Sequence, residues 1–308
     1  MTPFFSVVIP VYNRAELLRQ ALHSVLDQTE QDFEIVVVDD GSNDDPGRVV
    51  GEIGDPRIVF VRQQNRGGGA ARNAGIARAR GRYIAFLDSD DRFLPHHLAA
   101  MRKLLANAPG TAGYARIIAD RGGCTTLKPP RAIRQGEDMA TYLLCDRGFL
   151  PTSTIVTEAS LARAVGFHEN LPAAEDTDFA IRAALLGTRF VMAEEPGVVW
   201  RDIGDPGRLS AGRRCASMKA WIDGLRPRIP ARAYYGCLGW AYAKYVAVGD
   251  RRQALRLWLG AVGRGCYAPS LAGIVLLQIF LSDGLYRRIA DAAIAWLNAG
   301  WHKAKAVR

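Results

Sequence analysis

The chain of 308 residues is poor in cysteine, and its five cysteines are odd in number and far apart along the sequence. No two of them have the spacing of a metal-binding pair, which excludes a thiolate metal site of the zinc-finger kind. Their scarcity favours a reduced, cytosolic setting over one that relies on disulfides. We expect no secretory leader, because Met1 to Pro3 carries no basic residue and the apolar stretch that follows is broken at Pro10.

Long apolar runs are also lacking. One longer uncharged stretch extends from Gly265 to Ser282, and its dense part is Leu271 to Leu281. That dense part is too short to cross a bilayer, and Pro269 and Gln278 weaken the rest. The stretch therefore predicts a buried or interfacial helix rather than a membrane-spanning one.

Acidic residues are scarce toward the end of the chain. Residues 211–308 contain 16 Lys and Arg against 4 Asp and Glu, whereas residues 1–210 contain 24 against 27. An excess of positive charge in one region favours a polyanionic neighbour there. Anionic lipid and nucleic acid would both fit this composition, and so would a plain solvated surface.

Apolar, β-branched runs alternate with helical patterns in the first half of the chain. This alternation predicts an α/β fold, with a mostly parallel sheet and helices on both of its faces. The predicted strands are 5–9, 33–38, 57–61 and 83–87. The predicted helices are 14–28, 46–53 and 68–80. Residues 110–150 are rich in Gly, Pro and Arg and predict less regular structure.

Regular patterns resume after residue 150 and become purely helical from about residue 211. The next predicted elements are strands at 154–157 and 189–192 and helices at 158–165 and 176–186. Further helices at 231–248 and 251–262 are predicted to form an αα-hairpin. We therefore expect an α/β domain over residues 1–210, followed by a basic helical region over residues 211–308.

The segment from Tyr83 to Asp91 joins a buried-looking apolar run to three carboxylates, those of Asp88, Asp90 and Asp91. In an open α/β sheet, ligands bind at the carboxyl ends of the strands. Acids crowded there repel one another, and a hard divalent cation that bridges to a substrate's phosphates would relieve the repulsion. The alternative is a cap on a helix that begins near Pro95, but a cap needs one acid rather than three. The pattern favours a metal site.

Two further motifs follow predicted strands and favour a nucleotide site. Pro10 to Asn13 places an aromatic ring and an amide after the first strand, where Tyr12 could stack on a planar base. Asp39 and Asp40 form the acidic tip of the second strand, where a carboxylate can accept a hydrogen bond from a base or a ribose. Packing would also explain the first motif, and a capped turn would explain the second. Each motif is therefore weak evidence on its own.

Two predicted helix entries carry charge. Asn65 to Gly75 is rich in glycine, so its backbone N–H groups can face an anion, and Arg72 is a candidate pyrophosphate contact. The segment matches neither a phosphate loop nor a dinucleotide fingerprint, and close helix packing would also explain its glycines. Glu175 and Asp176 open another helix. They either complement the helix dipole or supply a general base that deprotonates a hydroxyl.

In their order and spacing, these motifs resemble the inverting family-2 glycosyltransferases with the GT-A fold. The resemblance covers about residues 4–210. It implies a Rossmann-like GT-A domain, a nucleotide-diphospho-sugar donor and a divalent metal, Mg²⁺ or Mn²⁺. It also implies that a hexosyl or N-acetylhexosaminyl group passes to an acceptor hydroxyl in a single displacement, which inverts the anomeric centre.

Carried over to this sequence, the resemblance assigns roles to individual residues. The residues expected to bind the donor are Pro10, Tyr12, Asn13, Asp39, Asp40, Arg72, Asp88 and Ser89. Asp90 is expected to bind the metal together with Asp88. Asp176 is expected to activate the acceptor hydroxyl, with Glu175 beside it.

One segment departs from the family's pattern. Related sequences carry a histidine, in a His-Pro-Gly-Ser-like segment, as a further metal or diphosphate contact. The corresponding segment here is Trp200 to Ser210, and Asp205 falls at the histidine position. An aspartate can still ligate Mg²⁺ or Mn²⁺, so we expect Asp205 in the metal site. The replacement also supports an alternative, a non-catalytic sugar-nucleotide-binding scaffold. Asp176 argues against a nucleotidyltransferase of similar fold, because that chemistry does not need this base.

The resemblance implies a place in bacterial surface-polysaccharide or glycoconjugate synthesis, with a saccharide or lipid-linked acceptor. A UDP-sugar is the favoured donor, because Asp40 suits uracil, although thymine and guanine would also fit. We expect no nucleic-acid partner and a cytoplasmic location, with the inner face of the cytoplasmic membrane as a candidate peripheral site. The segment from Leu285 to Lys305 motivates this last expectation, because apolar residues recur there at helical spacing among basic ones.

Overall fold

The computed structural model describes residues 2–121, 125–171, 173–202, 215–282 and 284–292. Within them the chain forms two compact units. The first, which we call the sheet unit, contains the described residues up to 202 apart from 144–147. The second, which we call the helical unit, contains 144–147 and the described residues from 215 onward. The predicted domain boundary at residue 210 lies outside the described residues and stays a prediction.

The chain begins with regularly alternating strands and helices, as predicted. These are β1 (Phe5–Val11), α1 (Ala15–Leu26), β2 (Phe33–Asp39), α2 (Pro46–Ile53), β3 (Ile58–Arg62), α3 (Gly68–Arg78) and β4 (Tyr83–Phe86). The first four strands are parallel and lie in the order β3-β2-β1-β4. In this register Val11 of β1 lies opposite Asp39 of β2, so the tips of both strands meet at one edge of the sheet.

The elements that follow are strands that extend the same sheet in mixed orientation, together with the helices between them. They are β5 (Arg92–Phe93), α4 (His97–Leu105), β6 (Thr111–Asp120), β7 (Thr125–Lys128), α5 (Met139–Cys145), β8 (Val156–Glu158), α6 (Ala159–Val165), α7 (Glu175–Leu185) and β9 (Arg189–Arg201). Strand β8 is antiparallel to both β4 and β6, whereas β9 is parallel to β6 and antiparallel to β5. The sheet is therefore parallel through β4 and mixed beyond it.

Helices cover both faces of the parallel strands. On one face, Val7 and Ile9 of β1 belong to the same buried cluster as Leu18 of α1. On the other face, α3 lies so close to β1 that a Cβ atom added at Gly75 would stand 2.3 Å from Cγ1 of Val8. Because side chains alternate between the faces of a strand, one apolar run serves both layers.

Two of the longer strands, β6 and β9, differ from the sequence-based prediction. Residues 110–150 contain the buried ten-residue strand β6, which the sequence did not indicate because Ala112, Gly113 and Ala115 have little strand propensity. Strand β9 continues to Arg201 rather than ending at residue 192. A register shift near the position where Pro196 faces Arg116 lets the strand pass its Glu-Glu-Pro-Gly segment.

The described residues of the helical unit are mainly α-helical. Its helices are α8 (Cys215–Leu225), α9 (Ala231–Cys237), α10 (Ala243–Val246), α11 (Arg251–Gly263) and α12 (Pro269–Phe280). Residues 284–292 are also helical. A π-helical turn over Leu238–Tyr242 interrupts the helix that we predicted as continuous from 231 to 248. Among the helices of the described residues, none is sufficiently long and apolar to span a bilayer.

Candidate active site

A cavity of about 560 Å³ opens in the sheet unit where β1 and β4 end, beside the first turns of α3 and α7. Nine residues that the sequence analysis assigned to the site line this cavity. They are Pro10, Tyr12, Asp40, Arg72, Asp88, Ser89, Asp90, Glu175 and Asp176. These residues come from five separate segments of the sequence. The fold thus brings the candidate donor, metal and base residues to a single cavity, at the end of the sheet where α/β proteins bind ligands.

Two predicted site residues, Asn13 and Asp39, do not line this cavity. Asn13 has a positive φ of 51° and accepts a hydrogen bond from the backbone N–H of Asn43 (2.8 Å). Asp39 is buried and accepts from the backbone N–H of Ser42 (2.8 Å). Both side chains therefore shape the turn after β2. Asp205 lies outside the described residues, and its role as a metal ligand stays a prediction.

Asp40 organises the loop that leads into α3. Its carboxylate accepts hydrogen bonds from the Gln63 side chain (2.7 Å) and from the backbone N–H groups of Arg66 (3.0 Å) and Gly67 (2.8 Å). A carboxylate offers about four lone-pair positions, so one position remains for a ligand in the cavity. Asp40 can therefore hold the glycine-rich loop and contact a bound base at the same time.

Arg72 is buried at the start of α3 and connects two carboxylates from distant segments. Its guanidinium donates to Asp88 (2.6 Å) and to Glu175 (2.5 Å). Burial alone would lower the pKa of Arg72, but the charges of Asp88 and Glu175 outweigh burial and raise it. The guanidinium therefore stays charged and fixes the acidic tip of β4 to the first turn of α7.

The other two acids of the strand tip have different surroundings. Asp90 accepts a hydrogen bond from the Arg14 guanidinium (2.8 Å) and keeps part of its surface in the cavity. Asp91 is buried and accepts from the Ser153 hydroxyl (2.5 Å) and from the backbone N–H of Arg201 (3.1 Å). Burial, and then the charges of Asp88 and Asp90, raise the pKa of Asp91 well above its usual range. Asp91 therefore connects the strand tip to β9 and is not a lining residue.

Asp176 lies in the first turn of α7 and lines the cavity. Burial raises the pKa of Asp176 to about 6, although a hydrogen bond from the Thr177 backbone N–H (2.6 Å) and the charge of Arg72 both lower it. The charges of Asp88 and Glu175 raise it further. At neutral pH this carboxylate is ionised but more basic than an ordinary aspartate, which suits a general base.

The chemistry of the strand tip fits a divalent cation that arrives together with a diphosphate. Asp88 and Asp90 present hard carboxylate oxygens to the cavity. Across the described ranges, no group of three or more His, Cys, Asp and Glu side chains is arranged to hold a metal ion unaided. Mg²⁺ is commonly bound through one or two carboxylates, with substrate phosphates and water as its other ligands. These two aspartates meet that requirement.

Several lining residues were not predicted from the sequence, among them Arg14, Thr152 and Trp200. Arg14 directly follows the Pro10 to Asn13 motif, so its position in the sequence was a usable signal. Trp200 lies one residue before the end of β9, and only the tertiary structure shows that it reaches the cavity. The ring packs edge-on against Phe149, with a centroid distance of 5.5 Å. Trp200 adds a second aromatic residue to the cavity lining, after Tyr12.

The family model described as "Glycosyl transferase family 2" matches residues 6–163, just over half of the chain. The matched residues include β1 from its second residue onward, β2 to β4, and the acidic tips of β2 and β4. The chain belongs to glycosyl transferase family 2. The resemblance seen in the sequence is therefore confirmed, and the chain is a glycosyltransferase.

Known proteins of similar sequence and structure agree with this assignment. The amylovoran biosynthesis glycosyltransferase AmsB of Erwinia amylovora is 29% identical over 243 residues, which cover 75% of this chain and 80% of AmsB. The glycosyltransferase GlyA of Streptococcus pneumoniae is 46% identical over 88 residues, which cover 28% of this chain and 13% of GlyA. The S. aureus TarS 1–349 structure in complex with UDP-GlcNAc has a TM-score of 0.64 at 18% identity, and the match covers 89% of this chain and 86% of that TarS 1–349 chain. This likeness shows the fold and confirms the predicted GT-A class.

Proposed function

We propose that this glycosyltransferase transfers a sugar from a nucleotide-diphospho-sugar to an acceptor hydroxyl and inverts the anomeric centre. One observation carries the proposal: a single cavity joins the acidic strand tips and a buried arginine to Asp176, whose pKa is raised to about 6. These groups are the ones that a leaving diphosphate and an activated hydroxyl require. The proposal accounts for all of them with one reaction.

The wall formed by Tyr12 and Asp40 suits the base of the donor. Tyr12 is partly exposed and offers a flat ring, and Asp40 has one lone-pair position left for a base N–H. TarS, which shares the fold, binds UDP-GlcNAc in its solved structure. We therefore favour a UDP-sugar as donor, with a hexosyl or N-acetylhexosaminyl group to transfer. Asn13 and Asp39 act by holding the turn beneath this wall.

Asp90 and Asp88 would hold Mg²⁺ or Mn²⁺, with Asp205 as a candidate further ligand. When bound, the cation would act as a Lewis acid that stabilises negative charge on the departing nucleoside diphosphate. Arg14 and Arg72 add fixed positive charge on the same side of the cavity. Ser89 lies between the two aspartates in the sequence and would contact the nucleotide-sugar.

Asp176 acts as the base in this proposal. As the acceptor oxygen forms its bond to the anomeric carbon, its proton passes to the Asp176 carboxylate, and the nucleoside diphosphate leaves with the bonding electron pair. Attack from the face opposite the leaving group inverts the configuration. Glu175 remains held by Arg72 and orients the first turn of α7 rather than taking the proton.

The similarity to AmsB, named for amylovoran biosynthesis, supports a role in the synthesis of a bacterial surface polysaccharide or glycoconjugate. We propose a saccharide or lipid-linked acceptor, whose hydroxyl would approach Asp176 past the aromatic surface of Trp200. This role requires neither a nucleic-acid partner nor a location outside the cytoplasm.

Calorimetric titration of the pure protein with UDP, with and without Mn²⁺, tests donor binding. Incubation with UDP-glucose, UDP-galactose and UDP-N-acetylglucosamine, followed by assay of released UDP, then tests turnover. We expect Mn²⁺-dependent binding and slow hydrolysis of at least one donor. Asp90→Asn should abolish the Mn²⁺-dependent part of binding. A protein that binds a UDP-sugar but neither hydrolyses nor transfers it would be a scaffold, and the proposal would be wrong.

A further inference from the structure

The outer face of α11 exposes aliphatic side chains. Leu255 and Leu259 lie one turn apart and are 41% and 52% exposed. Ala254 and Ala261, on another side of the same helix, are buried. Because residues four apart share a face of an α-helix, the two leucines form a short apolar stripe that faces solvent.

A stripe of positive charge runs beside these leucines. Arg252 and Arg256 are exposed and also lie one turn apart. Neither side chain has a hydrogen bond or an ion pair with any residue that the structure describes, and α11 itself contains no acidic residue. Like charges four residues apart on a helix repel each other. The face formed by Arg252, Leu255, Arg256 and Leu259, called the α11 face below, therefore has uncompensated positive charge next to exposed apolar surface.

The helix that carries the α11 face is firmly held. At its start, the Asp250 side chain accepts from the Gln253 backbone N–H (2.9 Å). In its middle, the Trp258 ring donates to the backbone carbonyl of Ala272 in α12 (3.1 Å). The Arg251 guanidinium lies over the Phe280 ring at 5.3 Å. The exposed leucines and arginines are thus presented by a packed helix rather than by a frayed end.

We propose that the α11 face binds the surface of an anionic lipid bilayer. Arg252 and Arg256 would meet lipid phosphates, while Leu255 and Leu259 would enter the boundary between the headgroups and the acyl chains. Basic helices with an adjacent apolar stripe bind membranes in this orientation, parallel to the surface. The proposal goes beyond sugar transfer and uses none of the catalytic residues.

The leucines are the reason to choose a bilayer over nucleic acid. A phosphate backbone would engage the two arginines through charge but would leave both leucines in water. A bilayer offers an anionic surface with an apolar layer directly beneath it, and so takes up both stripes together. Arginine side chains can also extend their charged ends toward headgroups while their methylene stems lie against apolar surface.

The test is co-sedimentation of the full-length protein with vesicles, at low and high salt. One vesicle population contains phosphatidylcholine alone, and in the other about a third of the lipid is phosphatidylglycerol. We expect salt-sensitive binding to the second population only. The double variant Arg252→Gln with Arg256→Gln should bind about 25-fold more weakly, since each basic residue near the surface contributes about fivefold. Leu255→Gln with Leu259→Gln should weaken binding about tenfold or more.

Matched controls come from the sheet unit. Leu186, which is 59% exposed, and Arg78, which is also exposed, belong to no comparable stripe, so Leu186→Gln and Arg78→Gln should bind as wild type does. Unchanged binding by both α11 double variants, or no binding of wild type to anionic vesicles at low salt, would refute the proposal. Loss in the arginine variant alone, together with equal binding to duplex DNA, would identify a polyanion site instead.

Discussion

Arginines of the sheet unit lie against carboxylates at its cavity, whereas arginines on α11 of the helical unit have no such partner in the described residues. Arg72 contacts Asp88 and Glu175, and Arg14 contacts Asp90. In the helical unit, Arg252 and Arg256 face solvent beside exposed leucines. The same side chain thus belongs to an internal ion-pair network in one unit and to an open surface in the other.

The contrast shows why net charge alone says little about function. A buried arginine with two acidic partners fixes the geometry of a site, and its removal leaves uncompensated charges behind. An exposed arginine without a partner contributes almost nothing to stability and is free to attract an external anion. The cavity of the sheet unit and the α11 face should therefore respond in opposite ways to the loss of positive charge.

The largest expected effect belongs to the sheet unit and to its chemistry. Asp176→Asn should lower the transfer rate by about two to four orders of magnitude, because the amide cannot take the proton of the acceptor hydroxyl. Donor binding, measured by calorimetry with UDP and Mn²⁺, should stay near that of wild type. Glu175→Gln is the neighbouring control and should lose less activity. A near-normal rate for the Asp176 variant would remove its assignment as the base.

The second effect compares an arginine from each unit. Arg72→Met should reduce the free energy of unfolding by about 2–4 kcal/mol, somewhat below the range for fully buried pairs because Asp88 and Glu175 remain partly exposed. Arg256→Met should change it by less than about 0.5 kcal/mol. Urea denaturation of both variants provides the comparison. Equal losses in the two variants would show that burial and pairing do not distinguish these arginines.

The third effect is a pH dependence. With the pKa of Asp176 raised to about 6, the base is unprotonated above that pH and becomes protonated below it. The transfer rate at saturating donor should therefore fall about tenfold for each pH unit below 6. An ordinary aspartate would place this fall near pH 4. A rate that is constant between about pH 5 and pH 7 would contradict the raised pKa.

The smallest effects have opposite signs within the helical unit. Arg256→Gln should stabilise the fold by about 0.2–0.5 kcal/mol, because it removes the repulsion with Arg252 one turn away. Lys219→Gln should destabilise it by a similar amount, because Lys219 donates to Asp223 one turn away (2.5 Å). Thermal unfolding of the two single variants measures both signs. A loss of stability in the Arg256 variant would reveal a favourable contact of that residue.

The sequence predicted the parallel half of the sheet better than the mixed half. Strands β1 to β4 are rich in apolar residues, and β1, β2 and β4 are almost completely buried, as is typical of strands that are covered on both faces. Strand β6 has small residues and showed no strand pattern, and β9 passes through a proline, so only its first part, residues 189–192, was predicted. The pairing of β6 with β9 joins segments about 80 residues apart and depends on tertiary packing alone.

The candidate site was predicted in composition but not in connectivity. The acidic strand tips and the Glu175–Asp176 pair could be recognised because each ends or begins a regular element. That Arg72 bridges Asp88 to Glu175 could not be recognised, because no local pattern specifies which distant carboxylates an arginine will meet. Asp91 was grouped with the metal-site acids, whereas the structure connects it to Ser153 and Arg201.

The central claim is that Asp176 activates an acceptor for a single displacement at the anomeric carbon. The direct measurement is the anomeric configuration of the product, by proton NMR, after reaction with an α-configured UDP-sugar and an accepted saccharide. The account predicts a β-linked product, because one displacement from the opposite face must invert the centre. An α-linked product would require two displacements or front-face attack, and it would contradict the role of Asp176 as the base of an inverting transfer.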